Sequence, residues 1–295
     1  VYVGIDAGGG GNGSENCFIG RRAGRNATSS NTTGIGTEAL QQNTGAKNTA
    51  VGYQTLINNE GGTENTAVGY FALTANVGGN YNTAMGVQAL DTLNGGHRNV
   101  AVGREACRDQ ASGDNNTGIG TEALKLNSSG ANNTAVGSYA LNSHSGGNNT
   151  AVGKDAMKAA GAGGDNAAYG YRAMEALTTG NSNVALGPGT LRTMTVGDRN
   201  TALGYETLRT ANVSSNADTY NTAVGYAAGV NVNTGTQNVL IGSNTGSSLQ
   251  DGVGNICIGH GANTATANRQ YSITMGRNVA SVGNYYFTFG VDADA

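Results

Sequence analysis

Small apolar side chains and polar turn residues alternate along this 295-residue chain with a nearly fixed period. A segment such as Thr49-Ala50-Val51 ends at a glycine, and equivalent segments return mostly after 16 or 17 residues, once after 21 and finally after 14. We call this glycine position 0 and number the other repeat positions from it. It occurs at Gly4, Gly20, Gly36, Gly52, Gly69, Gly86, Gly103, Gly120, Gly137, Gly153, Gly170, Gly187, Gly204, Gly225, Gly242, Gly259, Gly276 and Gly290.

The residues around position 0 predict a short strand. β-Branched residues at positions −3 and −1 flank a small residue, so they lie on one face of an extended chain. Position +4 holds Leu, Met or Cys in eleven successive repeats, a further glycine stands at +10 in nine, and polar turn residues fill the rest. Residues 70–73 predict a second strand or an extended corner. Helical repeats of other families are about twice as long, so we predict an all-β parallel β-solenoid (β-roll) of about 17-residue coils.

Stacked coils place equivalent residues ~4.8 Å apart, the distance between neighbouring strands. Eighteen coils then predict a rod on the order of 80 Å long. At position −1 we predict an apolar ladder of Val51, Val68, Met85 and Val102. At position −4 we predict an amide ladder in which each asparagine donates to one neighbouring coil and accepts from the other. Its members include Asn48, Asn65, Asn82, Asn99, Asn116 and Asn133.

Variation in the repeat divides the chain into three segments. Residues 31–220 carry the Leu-bearing repeat, whereas residues 1–30 and 221–295 hold variant coils. In the variants position +4 changes, and we expect the coil shape to change with it. The replacements are Gly24, Gly229, Gly246, Asn263 and Ala280. The 21-residue spacing predicts an inserted loop at Val213–Thr219. The absence of capping units leads us to expect that the natural chain continues in at least one direction, or that subunits stack end to end.

Composition narrows the partners. The chain has 50 glycines, a net charge of −3 and 12% charged residues, with no basic stripe, so we expect no nucleic-acid partner. No run of eighteen apolar residues occurs, so we expect no membrane insertion. Neutral polar side chains would keep such a chain in solution.

Groups that carry catalysis or metal binding are scattered over different repeat positions. His97, His144 and His260 occupy three different positions, and the acids Glu38 and Glu122 share one position about five coils apart. We therefore predict a non-enzymatic protein with no catalytic, cofactor-binding or metal-binding residues. The three cysteines, Cys17, Cys107 and Cys257, show no metal-site or disulfide spacing, and we expect buried inert thiols.

Tyrosine at position +1 is the best candidate for contact with a ligand. Tyr53 and Tyr70 stand on neighbouring coils, as do Tyr205 and Tyr226. Other copies hold Arg, Thr, Ser, Lys or His at +1, a variability that predicts solvent exposure. These four tyrosines are candidate glycan contacts, and a passive spacer without a ligand is the alternative.

The segments Asn65–Leu73 and Asn200–Leu208 resemble repeats of phage tail fibres and related bacterial surface fibres. Asn255–Gly259 and Ser272–Gly276 are similar to the head repeats of trimeric autotransporter adhesins, which form left-handed parallel β-roll trimers. The resemblance covers nearly the whole chain. It implies a homotrimeric fibre, located outside the cell on a virion or a cell surface. Partners would be other copies of the chain, a cell-surface glycan or receptor, and other fibre or virion proteins.

The function expected from this resemblance is that of a structural rod in an extracellular or virion fibre, a phage tail fibre serving host attachment. The alternatives are a bacterial surface adhesin or a homopolymeric extracellular filament. Threonine recurs at position −3, as at Thr49, Thr66 and Thr83. A regular threonine column is also compatible with ice binding, which we keep as a further alternative.

Overall fold

A computed structural model describes residues 1–11, 13–159, 161–213 and 218–290. The described residues form twenty short strands and no helix. The strands are parallel and repeat about every 17 residues, so the protein is an all-β parallel β-solenoid, as the repeat predicts. Of the predicted inserted loop Val213–Thr219, residues 214–217 lie outside the described part of the chain.

The chain divides into two compact units, and the first is Val1–Asn148. Its successive strands pair in parallel, and each strand aligns with the same repeat positions of the next, two positions between the first pair of strands and three in the others. The strands are β1 (Tyr2–Val3), β2 (Cys17–Ile19), β3 (Thr33–Ile35), β4 (Thr49–Val51), β5 (Thr66–Val68), β6 (Thr83–Met85), β7 (Val100–Val102), β8 (Thr117–Ile119) and β9 (Thr134–Val136).

The second unit is Asn149–Ala295 and has the same construction. Its strands are β10 (Thr150–Val152), β11 (Ala167–Tyr169), β12 (Val184–Leu186), β13 (Thr201–Leu203), β14 (Thr222–Val224), β15 (Val239–Ile241), β16 (Ile256–Ile258), β17 (Asn263–Thr264), β18 (Ile273–Gly276), β19 (Ala280–Ser281) and β20 (Phe287–Gly290). Here β17 pairs with β19 in a separate two-stranded sheet. This second sheet begins at Asn263 and Ala280, two of the positions where the variant coils have lost the leucine.

In the Leu-bearing coils the segment after position 0 is a corner, not a second strand. Phe71 and Leu73 have φ angles of 54° and 53°, in the left-handed region. Every second residue of this segment thus has a left-handed backbone, which is incompatible with the pleat of a β-strand. Neighbouring corners still bond to one another, because Phe71 donates its N–H to the Tyr53 carbonyl and Leu73 donates to the Ala89 carbonyl. Inter-coil bonds and core burial together stabilise this uncommon backbone.

The core of each coil is built from three small or medium side chains. Alanine at −2, alanine or threonine at +3 and leucine at +4 are fully buried, as at Ala84, Ala89 and Leu90. Burial of one leucine contributes about 2 kcal/mol, so the single column at +4 provides much of the apolar stabilisation.

Two variant coils exchange the sizes of the side chains at −2 and +4. Leu240 stands where most coils have alanine, and Gly246 stands where they have leucine. A Cβ on Gly246 would lie 2.8 Å from Leu240 Cδ2, so the Leu240 side chain fills the space left at +4. The first unit uses the same exchange, since a Cβ on Gly24 would lie 2.4 Å from the Phe18 ring.

This exchange predicts coupled effects of mutation. Leu240→Ala should destabilise the protein by about 3 kcal/mol through a cavity, and Gly246→Leu should destabilise it through overpacking. The double variant restores the ordinary Ala/Leu pattern and should recover at least half of the summed loss. Urea denaturation of the four proteins in a double-mutant cycle measures this recovery. Strictly additive losses would show that the two positions do not share one space.

The asparagines at −4 are fully buried and bond mainly to backbone groups. Asn65 Oδ1 accepts the N–H of Asn82 at 2.9 Å, and its Nδ2 donates to the carbonyl of Gly79 at 2.9 Å. Both partners lie on the side of the following coil. The expected exchange between neighbouring amides also occurs: Asn99 Nδ2 donates to Asn82 Oδ1 at 3.2 Å, and six successive pairs from Asn149–Asn166 to Asn238–Asn255 make the same bond at 3.0 to 3.3 Å. Each glycine carbonyl at +10 thus accepts a hydrogen bond from the Nδ2 group of a buried asparagine. The same two bonds recur at Asn48, Asn82, Asn99 and Asn116, and Asn133 donates to Gly146.

Candidate functional site

The outer face of the sheet carries the position −1 column. Val51, Val68, Met85 and Val102 are register neighbours along the first unit's sheet. They point away from the alanine core, and Met85 is 46% exposed. In the second unit the same column exposes Tyr169, Leu186, Leu203 and Ile241. Each unit therefore presents an outward ladder of apolar side chains at the spacing of the strands.

The position −3 column lies beside this ladder on the same outer face. Thr49 pairs in register with Thr66, and Thr66 pairs with Thr83. These side chains are half-buried or exposed. The outer face therefore combines a hydroxyl-bearing column with an apolar column. Val100 interrupts the threonine column at position −3.

The four candidate tyrosines form two stacked pairs. The Tyr53 and Tyr70 rings lie 5.4 Å apart at 13°, and the Tyr205 and Tyr226 rings lie 5.4 Å apart at 7°. Each ring is between 40% and 56% exposed. Stacking covers one face of each ring, so a ligand can contact only the outer face of a pair or the ring edges. Phe71 packs edge-on against Tyr70 with a centroid distance of 4.2 Å, which further reduces the ring surface that the first pair offers to a ligand.

A notch lies at the outer face of Tyr205 in the second unit. Its floor is Pro188 and Gly189, its walls include Tyr171 and Tyr205, and its volume is ≈ 120 Å³. Charged side chains at its rim are Arg172, Arg192 and Glu206. Sequence reasoning missed this notch, although Pro188 is the only proline of the chain.

A network of ion pairs covers the same corner in the first unit. Glu105 lies 2.6 Å from Lys125 Nζ and 2.7 Å from Arg108 Nη1, and it also contacts Arg104. Glu122 joins the network through Arg104 at 2.7 Å and Lys125 at 3.2 Å. The hydrogen bond from Lys125, with the surrounding positive charges, holds the pKa of Glu105 below its usual 4.5, although burial acts in the opposite direction. These contacts favour a structural role for the acids.

The lowered pKa of Glu105 predicts a stability that depends on pH. A carboxylate whose pKa is lower in the folded state stabilises above its unfolded value, and this contribution is lost as the pH falls through the folded value. We expect the melting temperature to fall below about pH 4.5, and Glu105→Gln to melt lower at about pH 6 and to show a weaker pH dependence. Thermal melts between about pH 6 and about pH 3 check this. The exposed Glu60→Gln is the control, and equal pH profiles for both variants would contradict the prediction.

The thiols and imidazoles do not meet in a common site. Cys107 and Cys257 are buried, and burial raises the pKa of each to about 12. Cys17 is only half-buried, so the predicted burial is wrong for this thiol. In the described part of the chain, no group of three or more His, Cys, Asp or Glu side chains is placed to hold a metal ion.

Comparisons with known proteins add no family to this description. No protein-family model matches the chain, and a search of curated proteins finds no match. Among the described residues there is also no helix with the length and apolar character needed to cross a membrane. The surfaces of the two units are therefore the remaining guide to function.

Proposed function

We propose that this chain is the structural rod of an extracellular or virion fibre, a phage tail fibre that serves host attachment and assembles as a homotrimer. The supporting observation is the outward ladder of apolar side chains, repeated at the spacing of the strands on each unit. An identical chain offers the same ladder at the same spacing, so like side chains of neighbouring copies meet in register. Closed cyclic symmetry then buries every copy of the ladder equally.

A thin core supports the same proposal. Alanine at −2 and one leucine at +4 leave each coil with little apolar volume of its own. Burial of exposed side chains such as Met85 and Leu203 against another copy would add about 25 cal/mol for each Å² removed from water. Regular assembly along a rod would then place many copies of a weak binding surface on one particle, which raises the overall affinity for a cell surface.

Assembly is tested by the mass in solution and by charges placed on the outer face. The wild-type protein should have three times the chain mass by light scattering, and the Val68→Glu/Met85→Glu variant should be a monomer with an unchanged circular dichroism spectrum. The control, Tyr70→Glu/Val87→Glu, changes exposed position +1 residues of the same coils and should remain a trimer. A wild-type monomer at all concentrations would overturn the proposed assembly.

Attachment is tested separately. Immunogold labelling should place the protein on virus particles, and the purified protein should bind host cells and compete with those particles. Labelling of the bacterial surface without particles would support the adhesin or the filament instead.

Ice binding is a second candidate because the position −3 threonines face outward in register. A thermal-hysteresis measurement decides it. An ice-binding face should produce hysteresis that Thr66→Glu removes, and a wild-type protein without hysteresis would eliminate this candidate.

A further inference from the structure

The notch exists because one coil lacks the side chains that its neighbours have. In the other ten Leu-bearing repeats position +2 carries a side chain in the left-handed region, but here it is Gly189, with φ +66°. Position +1 is tyrosine in the coils on either side and Pro188 in this coil. Two adjacent residues thus open a gap in the columns at +1 and +2, which carry side chains in all the other Leu-bearing coils.

The gap is flanked by aromatic rings on both sides. Tyr171 and Tyr205 stand two coils apart, which separates equivalent atoms by about 10 Å. Tyr226 stacks on the far face of Tyr205, and the Arg172 guanidinium lies 5.0 Å from the centre of the Tyr171 ring. Lys154 Nζ, from the preceding coil, lies 5.6 Å from the centre of the Tyr171 ring, so both rings are held by contacts with neighbouring side chains. The midpoint of this gap lies about 5 Å from each tyrosine, which leaves room for a ligand thicker than a flat aromatic ring.

The charges at this corner favour an anion. Glu175 is shared between Arg172, at 3.4 Å, and Arg192, at 2.8 Å, so one carboxylate faces two guanidinium groups. Glu206 is 3.6 Å from Arg209 and already has a cationic partner. These charges lie in the four coils whose position 0 is Gly153, Gly170, Gly187 or Gly204. Positions +1 to +5 of these coils hold five basic and three acidic residues, in a chain whose net charge is −3. The basic residues are Lys154, Lys158, Arg172, Arg192 and Arg209, and the acidic ones are Asp155, Glu175 and Glu206.

We propose that this notch binds a pyranose ring that carries a carboxylate, as found in acidic surface saccharides. The C–H faces of the ring pack on Tyr171 and Tyr205, the carboxylate pairs with Arg192 or Arg172, and hydroxyl groups donate to Glu206. Bidentate pairing of guanidinium with carboxylate supplies directional, charge-assisted hydrogen bonds. The inference deepens the proposed function and depends on it for biological use, because it names the ligand class that an attachment fibre would contact.

The size and chemistry of the notch favour a saccharide over a nucleotide base. A base is flat, with a stacking distance of about 3.4 Å, so one base cannot contact both tyrosines across a gap of about 10 Å. A puckered pyranose is thicker and presents hydroxyl groups that both donate and accept. The volume of ≈ 120 Å³ suits one ring and is far below the roughly 300–1,000 Å³ of pockets for drug-sized ligands.

Filling the notch provides the test, because the repeat itself supplies compatible side chains. Pro188→Tyr should complete the tyrosine column, and Gly189→Gln restores a residue type present at Gln54 and Gln88 with the same backbone. A Cβ at Gly189 would lie 3.3 Å from Glu206 Cγ, and that flexible side chain can move. Val87→Tyr is the matched control, since it adds a tyrosine at position +1 in a coil of the first unit.

Calorimetry should measure binding of oligosaccharides of galacturonic, glucuronic and sialic acid, with neutral galactose oligomers and uridine monophosphate as comparisons. At least one acidic saccharide should bind more tightly than the neutral oligomers. Pro188→Tyr and Gly189→Gln should each weaken that binding at least tenfold, and Val87→Tyr should leave it unchanged. Arg192→Gln should reduce the preference for the acidic sugar, and thermal melts should show that each variant is folded.

Three results would overturn the inference. These are no binding of any acidic saccharide, unchanged binding after the notch is filled, or tighter binding of the nucleotide. The proposed fibre function fails on different measurements, namely mass in solution, location on particles and competition for host cells. A trimer that attaches to cells with an inert notch contradicts only this inference, whereas a sugar-binding monomer found on no particle contradicts only the fibre.

Discussion

Replacement of Gly86 by alanine is expected to lower the free energy of unfolding by about 3 kcal/mol or more. Gly86 has φ +140°, a conformation that residues with a Cβ scarcely adopt. The added Cβ would also lie 2.4 Å from the carbonyl oxygen of Gly103 in the next coil. That oxygen belongs to a backbone fixed by the sheet, so the clash cannot be relieved by moving a side chain. Urea denaturation followed by circular dichroism measures the loss.

A glycine in the same coil provides the control for Gly86→Ala. A Cβ on Gly95 meets no atom within 4 Å, and its φ is not in the left-handed region. Gly95→Ala should therefore change stability by less than about 1 kcal/mol. Equal destabilisation by the two substitutions would show that the close approach at position 0 is not what requires glycine.

Replacement of Asn99 by alanine is the second large effect that we expect. Asn99 Oδ1 accepts the N–H of Asn116 at 2.8 Å, and Nδ2 donates to the Gly113 carbonyl at 2.9 Å. Asn99 is fully buried, so its loss leaves the Asn116 N–H without a partner and out of reach of water. The Gly113 carbonyl loses one of its two donors and keeps the other, Gln110 Nε2 at 2.6 Å. One unsatisfied buried group together with one lost hydrogen bond predicts a loss of about 2–3 kcal/mol. Hydrogen exchange should also accelerate at the Asn116 amide.

The control for Asn99→Ala is Asn94→Ala, which changes an exposed asparagine five residues earlier in the chain. Asn94→Ala should hardly change the free energy of unfolding, because the Asn94 side-chain amide is in water in both the folded and the unfolded state. If Asn99→Ala were as mild as Asn94→Ala, the buried amide ladder would contribute little to stability.

The strands could be predicted from sequence because their signal is local. Thr66-Ala67-Val68 alternates as an extended chain does, and the glycine that follows ends the pattern. The corner could not be predicted as firmly, since leucine at +4 gives no sign of a left-handed backbone. Gly24, Gly229 and Gly246 at this position were the available clue, because glycine is the usual residue where φ is positive.

The candidate site was only partly visible in the sequence. Exposure of Tyr205 and Tyr226 follows from the variability of position +1, but stacking of the two rings depends on their relative orientation. The notch is marked by two residues with small side chains, Pro188 and Gly189, whereas ligand contacts in a sequence are usually signalled by large side chains. In a repeat protein, positions where a regular column is interrupted are therefore as informative as the aromatic residues themselves.

Parallel pairing tolerates unequal coil lengths. Cys17 faces Thr33 after 16 residues, Thr201 faces Thr222 after 21, and Ile273 faces Phe287 after 14, yet strand register is kept in every case. Length differences are absorbed in the turns, and each strand offers its neighbour the same bonding edge. Gain or loss of one whole coil by unequal recombination within the gene would therefore join edges that already match. Such genes can evolve longer or shorter products in steps of one repeat, without inventing a new packing surface each time.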